Sequence, residues 1–144
     1  MDMRDKPYAS TVMLIDDNRI DNIVNKKVLE KEKVAETILV FNKANQALDY
    51  LKDLATMPNS DLSLIPSMIF IDVVMPEMNG VEFIRQYIHL PAFIRHASRI
   101  VLISSSLLSP ALQAEMKGYG VSVAVVGKPL SKASIDTLLH NEPS

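Results

Sequence analysis

The sequence predicts a single α/β domain, a doubly wound five-stranded parallel sheet covered by five helices. Three observations predict it. Short, continuously apolar runs rich in β-branched residues recur five times, and stretches with helical apolar spacing lie between them. The length of 144 residues suits one core and leaves little room for a second. An apolar fraction of 48% can offset the entropy of ordering the chain, which excludes a disordered polypeptide.

The elements follow in order. The first run, Val12-Met13-Leu14-Ile15, ends in Asp16-Asp17. Its uninterrupted apolar character suits a strand buried on both faces, as do the four runs that follow. Ile20, Ile23, Val24 and Val28 recur at helical spacing, with Lys27 and Lys31 beside them, and predict a first helix that buries this apolar stripe. Thr37 to Phe41 is the second strand, and Ala44, Ala47, Leu48, Leu51 and Leu54 mark the second helix. A loop from Met57 to Pro66, with two prolines, is long for a helix-to-strand connection. Its Leu62, Leu64 and Ile65 are expected to pack on the domain edge. Met68 to Ile71 is the third strand and ends in Asp72. Asn79-Gly80 predicts a tight turn before a third helix carried by Val81, Phe83, Ile84, Tyr87 and Ile88. The fourth strand, Ile100 to Ile103, ends in Ser104-Ser105-Ser106. Ala111, Leu112, Ala114 and Met116 mark a fourth helix, which Gly118 and Gly120 stop. Val121 to Val126 is the fifth strand, ending near Lys128-Pro129, and Ile135, Leu138 and Leu139 carry the fifth helix.

Composition excludes several functions. With 15 basic against 17 acidic residues the net charge is −2, which lacks the basic surplus that phosphate backbones require. Aromatic residues make up 6% and Trp is absent, so no base-stacking platform is expected and nucleic acid is not a predicted partner. The absence of Cys removes disulfides, thiolate nucleophiles and Cys-based zinc sites together. No apolar run approaches the length of a membrane span, and the N-terminus lacks the apolar segment of a signal peptide. A cytoplasmic, soluble protein is the expectation. His89, His96 and His140 are scattered and read as exposed helix or loop residues, and the eight Met as core filler.

In open α/β sheets, ligands bind outside the carboxyl ends of the strands. Four of those ends carry matching chemistry: Asp16-Asp17, Asp72, Ser104 to Ser106, and Lys128. Taken singly, each has an ordinary reading: Asp17 as a helix N-cap, Asp72 as a turn residue, Lys128 as a surface lysine. Taken jointly, neighbouring first and third strands would bring three carboxylates together, and their mutual repulsion calls for a hard divalent cation such as Mg²⁺. Carboxylates, cation, lysine and hydroxyl make a site for a phosphoryl group, with one carboxylate as nucleophile.

The segments V-M-L-I-D-D, M-I-F-I-D-V-V-M-P-E-M-N-G, I-V-L-I-S-S-S and V-V-G-K-P-L, in this order, resemble the signature of bacterial response-regulator receiver domains. The resemblance spans about Thr11 to Leu139 and implies a flavodoxin-like sheet of order 2-1-3-4-5. It implies that Asp72 is the phospho-acceptor, that Asp17 binds Mg²⁺ directly with Asp16 in support, and that the Val74 backbone carbonyl is a further metal ligand. Lys128 would pair with the phosphoryl oxygens, Ser104 would be the switch hydroxyl, and Pro129 would follow a peptide bond that is often cis. Phosphorylation would draw Ser104 and Lys128 inward and alter the face formed by the fourth helix, fifth strand and fifth helix.

One position departs from the pattern. Three residues before the lysine, where the family usually carries Tyr or Phe, stands Val125. The expected function is a stand-alone receiver over residues 1–144. It would accept a phosphoryl group from a sensor histidine kinase or histidine phosphotransfer protein and switch the binding of another protein. It would be an enzyme only toward itself, working as a monomer or a phosphorylation-dependent dimer. The start at Met1 favours a full-length protein, whose length leaves no residues for an output domain. Two other readings stand beside this one: a degenerate receiver acting as a constitutive interaction module, and an aspartyl-phosphate phosphohydrolase. The second would want an Asp two residues after the first, where Val74 stands.

Overall fold

A computed structural model describes residues 6–57, 62–75, 77–106 and 108–140. Five strands form one parallel sheet: β1 (Ala9–Ile15), β2 (Ala35–Phe41), β3 (Met68–Asp72), β4 (Arg99–Ser104) and β5 (Val123–Gly127). Their order is β2-β1-β3-β4-β5, as the resemblance implied. Six helices connect them: α1 (Arg19–Lys31), α2 (Ala44–Thr56), α3 (Gly80–Tyr87), α4 (Ala92–Ala97), α5 (Pro110–Gly118) and α6 (Lys132–His140). The expected five helices become six because α4, a six-residue helix anchored inward by Ile94, is too short to show a period.

Strand periodicity divides the core in two. Met13, Ile15, Ile69, Ile71 and Leu102 face α2, α3 and α5, while Val12, Leu14, Phe70, Val101 and Ile103 face α1 and α6. Strands β1, β3 and β4 are buried almost throughout, which explains their uninterrupted apolar runs. The outer strands β2 and β5 depart from the expectation of burial on both faces: Val40 and Val125 are exposed, because each edge strand has one neighbour and partial helix cover.

Helix α1 reverses the expected orientation. Its buried residues are Asn22, Asn25 and Leu29, while Ile20, Ile23 and Val24 face solvent. Polar inward residues win here because two loops lack sheet partners for their backbone groups. Asn22 Nδ2 donates to the carbonyl of Asp16 at 2.7 Å, and Asn25 Oδ1 accepts from the N–H of Leu130 at 3.1 Å. The helix thereby pins the β1–α1 and β5–α6 connections.

Smaller corrections follow from cap chemistry. The N-cap of α1 is Asn18, whose side chain accepts from the Asp21 N–H, so Asp17 does not have the cap role. Asn79 likewise caps α3 and Gly80 opens it. A Cβ on Gly80 would sit 2.8 Å from Leu102 Cδ2 and 3.1 Å from the Asp72 carbonyl oxygen, so a larger residue would have to displace the Leu102 side chain and crowd the end of β3. Gly118 is the last residue of α5, and Gly120, at φ +70, makes the left-handed exit. In the loop after α2, Ile65 is buried as expected but Leu62 and Leu64 are exposed. Thr11 Oγ1 and Tyr50 Oη instead tie this loop down through the carbonyls of Ser63 and Leu64. The rest of the loop, residues 58–61, and Pro76 of the M-P-E-M-N-G segment lie outside the described residues. The three His are exposed; Met13, Met68, Met75 and Met116 are core residues and Met78 is half-buried, but Met57, at the C-cap of α2, is exposed, and Met1 and Met3 lie outside the described residues.

Candidate functional site

The parallel register brings the carboxyl ends of β1, β3 and β5 to one edge of the sheet. Asp16 follows Ile15, which pairs with Ile71, and Asp72 pairs with Ile103 on β4, one residue before Ser104. Gly127 pairs with Ser104 and delivers Lys128 to the same edge. The Lys128–Pro129 peptide bond is cis.

Asp72 is buried and doubly held. Its Oδ1 accepts from the N–H of Val74 at 3.0 Å, and its Oδ2 from Lys128 Nζ at 2.7 Å. The same ammonium lies 2.9 Å from Asp21 Oδ2. Hydrogen bonding to Asp72, ahead of the opposing effect of desolvation, keeps the Lys128 ammonium charged well above its ordinary range. Asp16 is fully buried; its Oδ1 accepts from the Asn18 N–H at 2.9 Å, and its Oδ2 has no hydrogen-bond partner. Burial pushes the Asp16 carboxyl up to about 6 against the Asn18 hydrogen bond, and the negative charge of Asp72 adds to the rise.

Asp16, Asp21 and Asp72 each bring a carboxylate oxygen within 4.8 Å of the others. Within that spacing, with an effective dielectric of about 20, each charged pair repels by at least about 3.5 kcal/mol. One ammonium against three carboxylates leaves two negative charges. That surplus, the all-oxygen donor set and the orphaned buried Oδ2 of Asp16 together fit a hard divalent cation.

The expected site residues do not all converge. Asp16, Asp72 and Lys128 converge. Asp17 does not join the carboxylate group; it is exposed and lines an adjacent cavity of about 340 Å³ with Asn42, Lys43, Met75 and Glu77. Ser104 lies at the edge but is engaged within its own loop, its hydroxyl donating to the Ser106 carbonyl at 2.6 Å. Val74 presents its N–H to Asp72 and is otherwise exposed. Asp21 was missed by the strand-end reading because it sits one turn inside α1. The signal lay in α1's polar face: Asp21 is four residues before Asn25 and so flanks the side that turns inward.

A family model described as the response regulator receiver domain matches residues 12–140. Among solved structures, a two-component response regulator from Cytophaga hutchinsonii is similar at 30% identity. The match covers 92% of this chain and 95% of that one, with a TM-score of 0.73. A response regulator receiver protein from Dyadobacter fermentans is similar at 26% identity over 91% and 95% of the two chains, with a TM-score of 0.71. The receiver domain of an Arabidopsis thaliana histidine kinase, complexed with Mg²⁺, shares the fold at 22% identity, with a TM-score of 0.70 over 96% and 97%. No curated relative matches the chain.

Proposed function

The chain belongs to the response regulator receiver domain family, and from that membership we propose that it is a signalling protein that accepts a phosphoryl group on Asp72. The observation that carries this reading is the buried Asp72 carboxylate at 2.7 Å from Lys128 Nζ, inside a group of carboxylates at the end of the sheet. One Asp72 oxygen attacks phosphorus, the P–N bond of a donor phosphohistidine breaks, and the imidazole leaves as the acyl phosphate forms. Lys128, already hydrogen-bonded to Asp72, is placed to follow the transferred oxygens. Asp16 and Asp72 would hold Mg²⁺, with the Val74 carbonyl and Asp17 as the further groups of the family pattern; Asp17 would have to turn from the neighbouring cavity to reach it. When bound, Mg²⁺ supplies positive charge against the carboxylates and the transferred oxygens.

Ser104 then exchanges its bond to Ser106 for one to a phosphoryl oxygen, moving the loop between β4 and α5. Val125 has no ring to turn inward, so this hydroxyl carries the switch toward the face formed by α5, β5 and α6. The exposed Ile20, Ile23 and Val24 beside the site offer an apolar contact for a sensor histidine kinase or phosphotransfer protein. The protein turns over no separate substrate, and its output is a change of affinity for another protein. Cytoplasmic action is part of this proposal; no described helix is long and apolar enough to cross a membrane.

The test is intact-mass measurement after incubation with acetyl phosphate or phosphoramidate and Mg²⁺. One hydroxylamine-sensitive phosphoryl group is expected on the wild type and none on Asp72→Asn. An unmodified wild type with every donor would instead favour a constitutive interaction module.

A further inference from the structure

Lys128 is held by two carboxylates. Its Nζ lies 2.7 Å from Asp72 Oδ2 and 2.9 Å from Asp21 Oδ2. Asp21 reaches the pocket from the first turn of α1, where the Asn18 side chain accepts from its backbone N–H at 3.0 Å. The carboxylate is therefore presented by a capped helical turn, while Lys128 sits on the loop after β5, itself fixed by the bond from Leu130 to Asn25. Both ends of the Asp21–Lys128 contact are built into the fold. Among the described acids, Asp21 and Asp72 are the ion-pair partners of this ammonium.

Building on the assignment of Asp72 as phospho-acceptor, we propose that Asp21 is a positioning residue that competes with the phosphoryl group for Lys128 and so weakens the phosphorylated state. In the resting protein one ammonium is shared between two carboxylates. Phosphorylation replaces the Asp72 carboxylate by a group carrying about −1.5 to −2 charge and three acceptor oxygens. Lys128 has three donors and no second cation on the loop to share the work. The Asp21 carboxylate, within 4.8 Å of the Asp72 carboxylate, stays beside the new anion and draws on the same ammonium. Both effects oppose occupancy of the phosphoryl subsite. Asn at position 21 keeps the shape and removes the charge, so Lys128 is released to the phosphoryl oxygens.

Beryllofluoride, a phosphoryl mimic, provides the measurement. The full chain, as wild type, Asp21→Asn and Asp21→Glu, is titrated with beryllofluoride at saturating Mg²⁺ and, separately, with Mg²⁺ alone. Asp21→Asn is expected to bind beryllofluoride about three- to fivefold more tightly, the range of a partly exposed charge pair. Asp21→Glu is expected to return toward wild type, and the Lys128 ¹⁵Nζ resonance of the ligand-free protein to move in Asp21→Asn. Unchanged or weaker beryllofluoride binding in Asp21→Asn overturns the proposal. A loss of Mg²⁺ affinity of about tenfold, or 1.4 kcal/mol, also overturns it and makes Asp21 a cation ligand. A wild type that binds no beryllofluoride at all removes the receiver reading and this proposal with it, an outcome distinct from both others.

Discussion

Asp16 carries its carboxylate where water does not reach, with one oxygen bonded and the other without a partner. Its folded-state value of about 6 stands above the ordinary 3.8, chiefly through burial. Between those values the folded chain binds more protons than the unfolded one, so stability contributed by this group falls as pH rises through the window. Removing the charge therefore stabilises the metal-free protein at neutral pH. Asp16→Asn is expected to raise unfolding free energy in urea at pH 7, without Mg²⁺, by on the order of 2 kcal/mol. The gain should vanish below about pH 4. Added Mg²⁺ should stabilise the wild type and leave Asp16→Asn nearly unaffected. Equal stability of the two proteins at pH 7 would refute the burial cost. At this scale the sequence was informative: Asp16, Asp72 and Lys128 could be named from strand ends alone. Asp21 could not, because its role depends on which way α1 faces.

That facing is the main lesson at the scale of elements. The periodicity of α1 was legible, but its direction was not. Apolar spacing marks Ile20, Ile23 and Val24 as the buried stripe, whereas two loop backbones require the Asn22 and Asn25 side chains on the inner face. Hydrophobic burial is non-directional and can be supplied elsewhere; an unpaired buried N–H or C=O cannot be relieved so cheaply. The consequence is testable in one helix. Leu29→Ala, on the inner face, is expected to cost about 2–5 kcal/mol in denaturant unfolding. Ile23→Ser, on the outer face, is expected to stay within about 0.5 kcal/mol. Ile23→Ser should also leave phosphorylation by acetyl phosphate unchanged while lowering kcat/KM for phosphotransfer from a kinase or phosphotransfer protein. Comparable destabilisation by both substitutions would contradict the orientation of α1.

Across the whole molecule, charges at opposite ends of the chain impose opposed pH dependences. Arg85 on α3 holds Glu115 on α5 through bonds of 2.6 and 2.9 Å, and Tyr119 donates to the same carboxylate. The Arg85 hydrogen bonds, then that of Tyr119, hold the Glu115 carboxyl down at about 2. A depressed acid contributes stability above its unfolded value and loses it as pH falls toward the folded one, here from 4.5 to about 2. Asp16 works the other way between 6 and 3.8. The metal-free protein is therefore expected to show its highest Tm near about pH 4–5, falling on both sides. Circular dichroism melts across that range check it, and Glu115→Gln should remove the acid-side fall from this pair. A Tm rising steadily up to pH 7 would count against the Asp16 contribution.

The sequence by itself determined the sheet, the sites of its strand ends and the carboxylates, hydroxyl and lysine gathered there, because unbroken apolar runs and the residues that terminate them are local properties of the chain. Tertiary structure decided what local properties do not contain. It set which face of α1 turns inward, and left β2 and β5 half exposed as edges. It joined Asp21 to the carboxylate group, turned Asp17 toward a neighbouring cavity and engaged Ser104 with Ser106. Each of these depends on partners far away in sequence, as in the bond that ties Asn25 to Leu130 across 105 residues. Long-range pairing of buried polar groups leaves no period in the chain, so only the assembled fold displays it.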